Sequence, residues 1–262
     1  MLFFRILFIL NFYPFLCHAK SLPFHICADD FRLELDKKDK SENLNIDILK
    51  MAIQNLKNKI NIELNLEHMP LSRCFELLKK GQMDAALNLS YNEERASYLE
   101  YPPESGPNEK ETCSSQFKVA CSGYVVITMK SNLYEYNGKQ ESLPIPVRSA
   151  RGYSITKDLE KIFHDRLETS KSDKVNILKL IRDNEGSVIA HFAFPVNINK
   201  FKKMSDKIKI HKKYFTIRSY FIPFSKKSKF PETEKKLFWE EIAKIANNKD
   251  IIDKIISSYS IY

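Results

Sequence analysis

The amino-acid sequence predicts an α/β protein of two lobes, and three observations carry that prediction. Apolar runs of strand length alternate with segments of helical period in both halves of the chain. The alternation is interrupted by a longer β-rich run at 119–128, "VACSGYVVIT", after which a second set begins. Two amphipathic helical segments then close the chain, positioned to return to the first lobe. Strand–helix–strand order is the grammar of a sheet flanked by helices, and 262 residues suffice for two cores.

The elements follow in order. "LPFHICADDF" reads as a buried first strand whose carboxyl end carries Asp29, Asp30 and Phe31. In "NLNIDILKMAIQNLKNKI", Ile46, Leu49, Ile53, Leu56 and Ile60 recur at steps of three and four, giving one apolar helical stripe. "INIELNLEHM" alternates through Ile60, Ile62, Leu64 and Leu66 as a strand does. "PLSRCFELLKKG" is a helix with Pro70 near its start and Gly81 as its stop. "MDAALNL" is a short third strand. In the second set, "LPIPVRSARGYSITKDLEKIF" gives strand, glycine turn and helix; "KVNILKLIRDNEG" gives a helix and "SVIAHFAFP" a strand.

The first nineteen residues have one cation, Arg5, then an apolar stretch and a small-residue step to Ala19. This is the pattern of a signal peptide cleaved after Ala19, so the product is expected in the periplasm. Removing residues 1–19 lowers the net charge from +9 to +8. The basic residues are dispersed as pairs such as Lys202–Lys203 and not gathered on one element, so no nucleic-acid partner is expected. Cys27, Cys74, Cys113 and Cys121 would remain, and an oxidising compartment permits disulfides. Cys113 and Cys121 flank only "SSQFKVA", which makes a local staple the expected pair. The sequence has no CxxC, and its six histidines are scattered, so neither metal nor cofactor is expected.

No two of the six glycines are close enough to build a phosphate-cradling loop, and neither GxSxG nor HExxH occurs. No catalytic residue is assigned. Asp29 and Asp30 are adjacent on a strand end and point to opposite faces. In "GQMDAALNLSYNEERASYLEYP", the strand delivers Asn88, Ser90 and Tyr91 at its carboxyl end, Asn92 can cap the next helix, and Arg95 lies one turn in. Arg95 could fork onto a carboxylate beside Ser90, or pair at the surface with Glu93 or Glu94. Spacing leaves both readings open.

The stretch from Arg73 to Pro102 resembles the signature region of type 2 periplasmic solute-binding proteins, the amino-acid-binding family of extracellular receptors. The resemblance is carried by Arg73, Gly81, Asp84, Ser90, Arg95 and Tyr98 to Pro102, with "FHICADDF", "RSARGYSI" and "YFIPFSKKS" similar to further family segments. It implies a two-lobed, hinged type 2 clamp, each lobe a mixed sheet flanked by helices. Lobe one would comprise 20–122 plus 226–262, and lobe two 123–225, with crossings near Gly123–Val126 and Ile222–Ser225. The resemblance also implies a ligand carboxylate on Arg95, with Asn88, Ser90 and Tyr91 beside it. Asp29, Phe31 and Phe192 would contact the rest of the solute, and Gly152, Tyr153 and Ser154 would present amides from lobe two. Arg73 is expected to tie helix to sheet.

An exported monomer that captures a small solute for a membrane permease or a sensor follows from the resemblance. Its rivals are a non-transport sensory or interaction module, a dehydratase-like enzyme on the same clamp, and an accessory domain of a cell-wall enzyme. One departure stands out: amino-acid binders carry an acid just after the strand written here as "SVIAHFAFP", whereas this chain has His191, Phe192, Ala193 and Phe194.

Overall fold

The computed structural model describes residues 21–29, 44–191 and 202–259. Phe31 and Phe192, both expected at the site, and the leader at 1–19 lie outside the described residues.

The first sheet begins with β1 (Leu22–Asp29), whose Phe24, Ile26 and Cys27 are fully buried. Helix α1 (Leu44–Leu56) lays Ile46, Leu49 and Leu56 into the core. Ile60 falls instead in the turn before β2 (Ile62–Met69), which runs parallel to β1 in the register Leu22↔Ile62 to Asp29↔Met69. Helix α2 (Leu71–Lys80) has Pro70 at its N-cap and ends on Gly81. Gly81 is left-handed at φ +73°, and its N–H closes onto the carbonyls of Leu77 and Leu78.

The run expected as one strand splits. Asn88 adopts φ +66° and separates β3 (Ala85–Ala86), parallel to β1, from β4 (Leu89–Ser90), which joins the second sheet. Helix α3 (Glu93–Tyr98) and β5 (Leu99–Glu100) follow.

The second sheet is built from β6 (Ala120–Met129), β7 (Val147–Ala150), β8 (Leu167–Ser170), β9 (Ser187–His191) and β10 (Ile208–Phe221). Its order is β4-β10-β6-β9-β7-β8. Helices α4 (Thr156–Phe163) and α5 (Asp173–Asp183) link β7, β8 and β9, which pair in parallel. The four-residue β8 was not legible in the sequence. A short helix, α6 (Lys202–Ser205), precedes β10.

β11 (Phe224–Ser225) returns the chain to the first sheet, ordered β2-β1-β3-β11-β5. Helices α7 (Glu232–Ala246) and α8 (Lys249–Tyr259) follow it. α7 sets Phe238, Trp239, Ile242 and Ile245 among Phe24, Leu49 and Phe224, and Trp239 Nε1 donates to the Ile222 carbonyl at 2.8 Å.

Each sheet is buried on both faces. The second face of the first sheet is packed by Cys74, Leu78 and Met83, and the second sheet has separate clusters around Leu159 and Leu180. Along β6 the core partner changes between Ala120, which packs with the first sheet, and Tyr124, which packs in the second. Along β10 it changes between Phe215 and Tyr220. The strands approach closely between these points: a Cβ on Gly123 would meet the Thr216 carbonyl oxygen at 2.2 Å, so only glycine fits.

Two disulfides close, Cys27–Cys74 between β1 and α2, and Cys113–Cys121 between the preceding loop and the start of β6. Arg73, expected as the tie between α2 and the sheet, is exposed, and the neighbouring Cys74 makes that tie covalently. No described helix is long and apolar enough to cross a membrane.

Candidate functional site

A cavity of about 110 Å³ lies where the carboxyl ends of β1 and β3 face the second sheet. Its first-sheet wall includes Ala28, Asp29, Ile46, Leu71, Leu87 and Asn88. Its opposite wall is four rings, those of Tyr153, Tyr124, His191 and Tyr220. Asn45, His68, Leu89, Ser90 and Arg95 complete it. Ligand sites outside the carboxyl ends of strands are the rule for such sheets.

Arg95 is placed by its own helix start. The Asn92 side chain accepts from Arg95 N at 2.8 Å, which caps α3 and aims the side chain back toward β4. The guanidinium is 5% exposed. It donates to the Ser90 carbonyl at 2.7 Å and to the Gly152 carbonyl at 2.6 Å, and it lies 5.0 Å from the centre of the Phe75 ring. The surface reading of Arg95 is therefore overturned, and among the described residues no carboxylate pairs with it.

The two halves of the site also meet through hydroxyls. Ser90 Oγ donates to Ser154 Oγ at 2.7 Å, and the Tyr124 hydroxyl lies 3.4 Å from Ser154 Oγ. The Tyr101 hydroxyl donates to the Ser90 carbonyl at 3.0 Å, and burial pushes its pKa up. Glu94 and Lys157 pair across the same line at 3.0 Å, exposed to water. Asn88 is held by Asn45, whose Nδ2 donates to Asn88 Oδ1 at 3.0 Å. Its left-handed backbone is one that asparagine tolerates better than most residues.

Of the other expected residues, Asp29 lines the cavity and also borders a second groove with Arg151 and Lys171. Gly152 presents its carbonyl, not an amide, to Arg95, and α4 starts only at Thr156. Tyr91 faces a different, wider groove, with its ring 5.1 Å from that of Tyr101.

Asp173 was missed in the sequence. It lies 1% exposed at the start of α5, and its Oδ2 accepts from the Tyr153 hydroxyl at 2.5 Å and from His191 N at 3.0 Å. Burial is the main cause that raises its pKa to about 7, with Asp29 adding repulsion against these two donors. Tyr153 is pushed well above its ordinary value, by burial first and by Asp173 next. Asp173 thus fixes the Tyr153 ring from behind; it is not itself a wall of the cavity. A helix start marked by Ser172 and Asp173 was the available signal, but nothing in the sequence says that it abuts Tyr153.

No family model matches the chain, and no curated protein sequence matches it. Solved structures do. A histidine kinase sensor domain with similarity to periplasmic binding proteins superposes with TM-score 0.69 at 13% identity, covering 90% of this chain and 95% of that one. An ancestral arginine-binding protein bound to arginine gives 0.67 at 13% identity, covering 90% and 97%. An amino-acid ABC transporter substrate-binding protein of Streptococcus pneumoniae, bound to L-arginine, gives 0.64 at 18% identity, covering 90% and 94%. The chain has the type 2 periplasmic-binding-protein fold: an α/β clamp of two lobes with a cavity between them.

Proposed function

We propose that this chain is a solute-binding protein that captures a small carboxylate-bearing solute between its lobes. The observation that carries this reading is Arg95: a buried guanidinium on the cavity wall that has carbonyl and ring partners but, among the described residues, no acid. A buried charge is costly unless it is paired, and a bound carboxylate would supply the missing charge through the donors left over. Fold neighbours that are substrate-binding proteins of amino-acid ABC transporters support uptake as the role.

The reading includes export, with cleavage after Ala19, a periplasmic location, a monomer, and a membrane permease as partner. It divides the chain into two lobes with crossings between Ala120 and Tyr124 and between Phe215 and Tyr220, the second one earlier than Ile222–Ser225, so that β11 belongs to lobe one. It assigns binding and no turnover. The test is a thermal-shift screen against amino acids and organic acids, followed by calorimetry on any acid that raises the melting point. A carboxylate that binds wild type and is lost with Arg95→Ala is the expected result. A screen in which no carboxylate binds sinks the reading.

A second reading, a sensory module, is favoured by one observation. The kinase sensor domain shares this fold at TM-score 0.69. Association of the protein with a membrane-bound kinase, and none with a permease, would select it.

A further inference from the structure

Resting on the solute-binding reading, we infer that the solute is a small aromatic carboxylate bearing a polar ring substituent, its carboxylate at Arg95 and its substituent at Tyr220. Three features define that shape. The first is the ring wall. Tyr153 and Tyr124 lie 5.0 Å apart between centres, Tyr124 and His191 5.8 Å, and His191 and Tyr220 5.4 Å, the last two pairs at 89° and 90°. Rings packed edge to face set alternating positive edges and negative faces along one wall, which suits a further ring. Asp173 holds Tyr153 in that wall.

The second feature is size and polarity. The facing wall brings Ile46, Leu71 and Leu87, so a flat apolar body is covered on both sides. The cavity of about 110 Å³ is of the order of the ~150 Å³ void that admits a benzene ring, so it favours a compact solute whose body is a single ring. Among the described residues Asp29 alone brings a carboxylate to the lining, and it is shared with the neighbouring groove of Arg151 and Lys171.

The third feature is Tyr220. Its residue is 4% exposed and lines the cavity; its buried hydroxyl lies beside that of Tyr124 and, among the described residues, makes no hydrogen bond of good geometry. A buried hydroxyl left unsatisfied costs stability, and a polar group on the solute would satisfy it. A site built around such a hydroxyl rejects analogues that lack the matching group.

The experiment is calorimetry on the purified protein with benzoate, 4-hydroxybenzoate, cyclohexanecarboxylate and L-arginine, for wild type and Tyr220→Phe. The expected result is that 4-hydroxybenzoate binds most tightly and cyclohexanecarboxylate at least fivefold more weakly than benzoate. Tyr220→Phe should weaken 4-hydroxybenzoate about tenfold and leave benzoate nearly unchanged. Equal binding of benzoate and cyclohexanecarboxylate overturns the inference, as does binding of L-arginine without the aromatic acids. Either of those outcomes leaves the solute-binding reading standing. If neither these four nor any acid of the wider screen binds, the solute-binding reading itself has failed, and the inference falls with it.

Discussion

Two buried arginines divide the molecule by what surrounds them. Arg148, on β7, is 1% exposed and matched: Nε donates to Glu168 at 3.0 Å, one terminal nitrogen to Asp183 at 2.8 Å and the other to the Glu185 carbonyl at 2.9 Å. Arg95 is also buried but, among the described residues, meets carbonyls, the Tyr101 hydroxyl and a ring, and no carboxylate. The second region adds an unmatched acid, Asp173, with one oxygen bonded by uncharged donors and the other buried without a partner among the described residues. Matched charge builds a lobe, whereas unmatched charge beside a cavity is a standing demand for a ligand or a proton.

Four measurements break or sharpen that comparison. The largest effect is expected at the matched site: Arg148→Ala should cost about 4 kcal/mol in urea unfolding, because it opens a void and loses the three hydrogen bonds of a buried guanidinium, while Glu168 and Asp183 keep Lys179 and Arg182. Arg95→Ala should cost under about 1 kcal/mol, since it also removes an uncompensated charge. Equal losses at the two sites would erase the distinction.

Asp173 comes next. Its pKa is about 7 when folded and about 4 when unfolded. The folded chain therefore keeps a proton that the unfolded chain releases, and the resulting stability is complete below about pH 4 and lost as pH rises through 7. Asp173→Asn should be more stable than wild type by on the order of 3 kcal/mol at pH 8, with the gap closing toward pH 4. Parallel pH profiles for the two proteins would show that Asp173 holds no such proton.

At the unmatched arginine the readout is affinity. Arg95→Ala should lose about 100-fold in Kd for any carboxylate that binds, or roughly 2.7 kcal/mol. Arg95→Lys should recover only part of it, because a point charge cannot fork. The smallest effect belongs to Glu94→Gln, which opens the exposed pair with Lys157. Such pairs are worth about 0.5 kcal/mol and fade in salt. A larger, salt-insensitive change would make this pair part of the closure mechanism.

Much of the fold was legible because it rests on periodicity. The stripe Ile46, Leu49, Leu56 and the stop at Gly81 are local signals, and both appear where their patterns put them. The break at Asn88 was not legible, since an apolar run reads as one strand unless a residue is known to turn left-handed. The four-residue β8 is too short to show a period. At the site, Asn88, Ser90 and Arg95 were near one another in sequence and share the cavity wall. Tyr124, Tyr220 and Asp173 come from three distant segments, and only tertiary pairing brings them there. Arg73 misled for the opposite reason, because spacing cannot tell an inward from an outward face when a cysteine next to it does the tying.

The split at Asn88 has a mechanical consequence. Two crossing strands alone form a joint that can twist as well as bend. Here β4 adds a third member on the same line, with Ser90 paired to Tyr220 and Leu89 to Phe221. Three bound strands resist torsion, so motion of one lobe against the other would be confined to a single swing about an axis through Ser90 and Tyr220. Both residues line the cavity, so the solute would sit at the fulcrum, where a shift of a fraction of an ångström becomes a large arc at the lobe tips.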